Sequence, residues 1–111
     1  MAPYDWPRVT ASLFRHLQDA GATITRVNDG GEWIETHSFA EALDAATGVD
    51  EAWVRVQLND ESSATLYLVY GNEPSELVAD YGYHGLRDWL DDALARFSEA
   101  WDGKPCPTIN E

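Results

Sequence analysis

The run from Glu51 to Gly71, EAWVRVQLNDESSATLYLVYG, constrains the chain more than any other stretch. In its first half Ala52, Val54, Val56 and Leu58 alternate with Trp53, Arg55 and Gln57, the two-residue period of a strand with one face on a core. The second half, ATLYLVY, is apolar almost throughout, with Leu66 and Leu68 on one face and Tyr67 and Val69 on the other. Polar residues NDESS between the halves supply a turn, so the stretch predicts an antiparallel hairpin. An isolated hairpin is marginal in water, and the rest of the chain must add strands and a covering layer.

Turn and cap residues divide that remainder. Asp5 can cap a helix with Pro7 in its first turn, and Val9, Leu13, Phe14, Leu17 and Ala20 recur at helical spacing until Gly21, which predicts a helix over 6–20. Two β-leaning runs flank NDGG, a turn signal because Asn and Gly tolerate positive φ; strands are expected near 22–28 and 32–37. Ser38 and Glu41 form a capping box ahead of Phe39, Ala42, Leu43 and Ala46, with Gly48 as the stop, giving a helix over 39–47. NEPSELVADYG reads as a short helical turn with Pro74 near its start. A last helix over about 85–101 places Leu86, Leu90, Ala93, Leu94, Phe97 and Trp101 on one stripe, ended by Gly103.

The expected fold is therefore α+β, in the order α-ββ-α-ββ-α. A four-stranded, mainly antiparallel sheet of two hairpins packs with three helices as a two-layer sandwich. One domain spans 1–103, and residues 104–111, KPCPTINE, form an extended tail. Such a sheet has a second face, and the sequence does not make it polar. Trp33 and Ile34 must point opposite ways, and Tyr67 and Val69 oppose Leu66 and Leu68. Aromatic or apolar side chains, Trp53 among them, are thus expected on a face without helices.

Charge narrows the function classes. The 111 residues carry 20 acids against 7 Lys and Arg, a formal net charge of −13. Nine acids with Arg55 fall between residues 28 and 61, and eight acids with two Arg between 73 and 102. This excess exceeds the magnitude of ~2–8 that keeps a small domain in solution. It disfavours nucleic acid and anionic membrane as partners and steers cationic surfaces in. The single Cys106 suits a reducing compartment, no apolar run approaches a membrane span, and MAPYDWPRVT lacks a signal-peptide layout, so a cytoplasmic protein is expected.

No motif fixes a chemistry. His16, His37 and His84 stand apart; Glu35 with His37, and His84 with Asp88 at i,i+4, are two-ligand pairs of the kind that arise by chance in so acidic a chain, and neither a metal nor a cofactor is expected. Cys106 beside Lys104 has no base near it in sequence and reads as a passive thiol. NDGGE would turn Asp29 and Glu32 toward a phosphate, the wrong sign, and GNEPSE matches no nucleophile or phosphate loop.

Aromatic residues recur inside the acidic segments, in GGEWIE, DEAWV and RDWLDD. Trp and Tyr are interface anchors, and surrounding carboxylates accelerate encounter with a basic surface. The expected function is a non-enzymatic acidic interaction module for a basic protein partner, acting as an inhibitor, an immunity-type protein or a mimic of a nucleic acid's phosphate array. Candidate binding residues are Asp88, Trp89, Asp92 and Glu99 on the last helix, and Glu32, Trp33, Glu35 and Trp53 in the strands. No catalytic residue is assigned, and the oligomeric state is open. The alternative is a small enzyme or small-molecule-binding protein using the sheet face.

Overall fold

The computed structural model describes residues 4–36, 38–47, 49–59, 62–71, 73–85 and 88–108. His37, Gly48, Leu86, the Asp60–Glu61 part of the second turn and the end of the tail, all invoked above, lie outside the described residues. The elements are α1 (Trp6–Asp19), β1 (Thr23–Asn28), β2 (Trp33–Glu35), α2 (Phe39–Thr47), β3 (Glu51–Asn59), β4 (Ser62–Val69), a 3-10 turn (Pro74–Glu76), β5 (Val78–His84) and α3 (Asp88–Trp101).

Among the described residues the class is α+β with three helices, as expected, but the sheet has five strands instead of four, all antiparallel, in the order β2-β1-β3-β4-β5. The additional strand is β5. NEPSELVADYG contains the short helical turn only at Pro74–Glu76, and from Val78 the chain is extended against β4. Asp80 and Gly82, residues that strands disfavour, obscure the alternation of Tyr81 and Tyr83. Because β5 continues to His84, the last helix starts at Asp88 rather than about 85.

Local chemistry accounts for the helix ends. Asp5 accepts the Arg8 N–H on Oδ1 at 3.1 Å and so caps α1. At the other end the Gly21 N–H donates to Gln18 and the Ala22 N–H to Leu17, the paired bonds of a Schellman stop, with Gly21 at φ 93° where a Cβ would be strained. In the first hairpin the Asn28 side chain accepts the Gly30 N–H at 2.9 Å, which fixes the NDGG turn.

All three helices cover one face of the sheet. Val9, Leu13, Phe14 and Leu17 of α1, Ala42 and Ala46 of α2, and Leu90, Ala93 and Phe97 of α3 meet Val27, Val54, Val56, Leu66 and Leu68 in one core. Each large side chain fully buried there contributes roughly 1.5–3 kcal/mol. Polar bonds add to this packing: the Trp101 indole donates to Ser12 Oγ at 3.0 Å and joins α3 to α1, and the Tyr70 hydroxyl, just past β4, donates to the Ala46 carbonyl of α2 at 2.6 Å. The extended tail returns to the N-terminal segment, where Tyr4 bridges Thr108 and the Asp5 N–H donates to the Pro107 carbonyl. Among the described residues no helix is long and apolar enough to cross a membrane.

Candidate functional site

The helix-free face of the sheet is ordered in rows by strand register. Trp33, Asn28, Trp53, Tyr67 and Asp80 occupy one row across all five strands, and Glu35, Arg26, Arg55, Thr65 and Gly82 the next. Trp53 and Tyr67 stack, with ring centroids 4.7 Å apart and planes 24° from parallel. The Tyr67 hydroxyl donates to Glu51 Oε2 at 2.5 Å, and this bond to a carboxylate is the main cause that raises its pKa. Trp33 is 43% exposed on this face, while Ile34, paired with Val27, points to the helix side and overhangs the core at 39%.

Two arginines stand in the second row. Arg26 faces Arg55 directly, and Glu35 approaches Arg26 only to 3.7 Å. A bulge between Ile24 and Arg26 breaks the β1–β3 register there, and the Thr25 hydroxyl donates to the Arg55 carbonyl at 3.3 Å. Thr23, Thr25, Arg26, Glu35, Arg55 and Gln57 line a hollow of about 490 Å³.

A second surface lies at the opposite layer, where α3 runs beside β5. Tyr81 and Tyr83 are exposed on the helix side of β5, 38% and 47% respectively, because the edge strand extends beyond the helices. The Tyr81 hydroxyl donates to Asp91 Oδ1 at 3.1 Å. Ser75, Val78, Tyr81, Asp91, Leu94 and Ser98 border a cleft of about 320 Å³ between strand and helix. On the outer edge of β5 the Asp80 carboxylate takes up the Tyr81 backbone N–H at 2.8 Å. Asp88 and Asp91 lie in the first turn of α3, where the helix dipole favours negative charge.

The sequence-derived candidates therefore divide between two surfaces. Trp33, Glu35 and Trp53 share the open sheet face, with Glu32 exposed in the turn just before β2. Asp88, Asp92 and Glu99 are exposed on the outer side of α3, and Asp92 is held by Arg96 at 3.1 Å. Trp89 is half-buried against the core, and its Nε1 is buried with no hydrogen-bond partner among the described residues. The helical pairing of His84 with Asp88 does not form: His84 ends β5, opposite Ser63, and Asp88 begins α3 beyond the turn at Gly85. Among the described residues no group of three or more His, Cys, Asp or Glu gathers as metal ligands would. Cys106 is half-buried, and burial, followed by the Asp5 carboxylate, raises its thiol pKa.

Sequence reasoning missed Asp91, Tyr81 and Tyr83 because the tyrosines lie on the strand it did not recognise. The Tyr-Gly-Tyr alternation was the available signal. Comparison with protein-family models, with curated proteins and with solved structures finds no match to this chain.

Proposed function

We propose that this α+β protein is a non-enzymatic interaction module that binds a basic protein partner, in the cytoplasm, through the edge where α3 meets β5. The observation that carries the reading is the cleft of Val78, Tyr81, Asp91 and Leu94, which combines an apolar floor with an aromatic wall and a carboxylate at one border. A lysine or arginine of the partner fits this chemistry: its alkyl stem covers Val78 and Leu94, and its charged head meets Asp91. Tyr83 near the end of β5 and Asp88 at the start of α3 are both exposed and add an aromatic ring and a carboxylate to the two elements that form the cleft. With a net charge of −13 behind it, the edge would attract a cationic surface from beyond contact distance. In this reading the carboxylates replace an anionic ligand of the partner, which is how an inhibitor, an immunity-type protein or a nucleic-acid mimic acts.

The test is capture from the source cell at low and physiological salt, followed by zero-length carboxyl-to-amine cross-linking of the captured complex. Cross-links from Asp88 or Asp91 to lysines of one basic protein support the reading. A partner with no basic surface, or cross-links confined to α2 and the Glu73–Glu76 segment, overturn it.

A further inference from the structure

We propose that Arg26 and Arg55 form a binding site for a small aromatic oxyanion, a carboxylate or phosphate monoester carried on a flat ring, on the open face of the sheet. Like charges directly opposite on neighbouring strands destabilise a sheet, and the fold offers no reason for this pair. The chain has 20 acids for 7 Lys and Arg, so a carboxylate partner for each arginine would be easy to place. Yet among the described residues no carboxylate forms an ion pair with Arg55, and the Glu35 contact to Arg26, at 3.7 Å, is too long for a hydrogen bond.

Backbone geometry provides a second, independent support. The bulge between Ile24 and Arg26 re-aims the β1 side chains at this point, a use to which bulges near binding sites are put. Beside it lies the hollow of about 490 Å³, whose other polar lining groups are Thr23, Thr25, Glu35, Thr36 and Gln57. That volume lies in the range of small-molecule sites. Two guanidinium forks across one strand spacing can hold the oxygens of a carboxylate or phosphate from both sides.

The aromatic part of the ligand follows from the adjacent row. Trp53 precedes Arg55 by two residues and so projects from the same face, opposite Asn28 of β1 and stacked on Tyr67 of β4. A ligand ring lying against Trp53 places its oxyanion at the arginine pair. The overall charge of −13 sets a limit on size. A polyanion such as an oligonucleotide is repelled by the acidic remainder, whereas a small anion in the hollow lies within a screening length of ~8 Å of the two arginines at physiological ionic strength. This site is separate from the α3–β5 edge and does not depend on the basic-partner reading.

The experiment is an NMR titration of the protein with phenyl phosphate, benzoate and inorganic phosphate. The expected result is saturable perturbation of the Arg26 and Arg55 side-chain resonances, of the Thr25 and Gln57 amides and of the Trp53 indole. Phenyl phosphate should bind several-fold tighter than inorganic phosphate, and its ratio to benzoate identifies the preferred oxyanion. Arg55→Gln should weaken binding by about tenfold or more, the effect of removing a charge-assisted contact, while the melting midpoint holds or rises slightly because the facing like charges are relieved. No saturation in the millimolar range, perturbations centred elsewhere, or unaltered affinity in Arg55→Gln overturns the proposal. Equal affinity for phenyl and inorganic phosphate overturns its aromatic part.

Discussion

The Tyr81 hydroxyl donates to Asp91 Oδ1 at 3.1 Å and thereby joins the edge strand to the helix whose first turn it faces. Both groups are reachable by solvent, so the bond adds little to stability. Tyr81→Phe should cost no more than about 1 kcal/mol in a denaturant melt, the net value of one such hydrogen bond. The larger effect is expected on binding, because the substitution removes the hydroxyl that positions the Asp91 carboxylate at the border of the cleft. Faster dissociation of the basic partner with near-normal association is the expected signature, read by surface plasmon resonance.

Trp89 gives an opposite contrast. Its ring packs against the core while Nε1 is buried without a partner among the described residues, which costs the desolvation of an N–H with nothing in return. Trp89→Phe removes that N–H and keeps most of the ring, so stability should change by less than about 1 kcal/mol and can rise. Trp89→Ala loses the packing and should cost about 2–3 kcal/mol, at or below the lower end of the range for a fully buried tryptophan. Urea melts of the two variants check this. Equal losses would mean that the indole N–H has a stabilising role.

What the sequence disclosed depended on how local the signal was. The stripe of Leu90, Ala93 and Phe97 buries one side of α3 and leaves Asp88, Asp92 and Glu99 outside, because helical periodicity needs no knowledge of neighbours. The alternation of Val54 and Val56 with Trp53 and Arg55 likewise settled which side of β3 faces the core. Strand β5 was hidden because its residues do little packing: Asp80, Gly82 and His84 point to the uncovered face at the sheet edge, where core demands do not shape the sequence. The facing of Arg26 and Arg55 was out of reach for another reason. It depends on β1 pairing with β3, which are separated by β2 and α2, and on a bulge that shifts the register by one residue.

Cys106 tests the electrostatics of the tail. Burial and the Asp5 carboxylate both disfavour the thiolate, and the Asp5 backbone N–H opposes them only in part. At neutral pH a smaller thiolate fraction means slower alkylation than for a free cysteine derivative, with a rate that climbs as pH rises toward the elevated pKa. Asp5→Asn removes the charge while Asn can still accept the Arg8 N–H as a helix cap. That variant should be alkylated faster at the same pH, with little change in melting. Iodoacetamide kinetics followed by mass spectrometry decide the point, and a rate that does not respond to Asp5→Asn would leave burial as the whole cause.

The acidic side of α3 carries the last prediction. Asp88 and Asp92 repel at i,i+4 by about 0.2–0.5 kcal/mol, but each also has a favourable interaction. Asp88 gains about 0.3–1 kcal/mol from the helix dipole, and Asp92 holds Arg96 at 3.1 Å in an exposed pair of similar small value. The favourable terms slightly exceed the repulsion, so Asp88→Asn with Asp92→Asn should cost no more than about 1 kcal/mol. Association with the basic partner should nonetheless slow, with a flatter dependence on salt, because two steering charges are gone. Arg96→Gln has the reverse consequence: it exposes the Asp92 charge, leaves the fold almost unaffected and should speed association. Stopped-flow rates at low and physiological ionic strength distinguish the variants. If all three proteins associate at one rate with one salt slope, the carboxylates of α3 serve only as a solvated face.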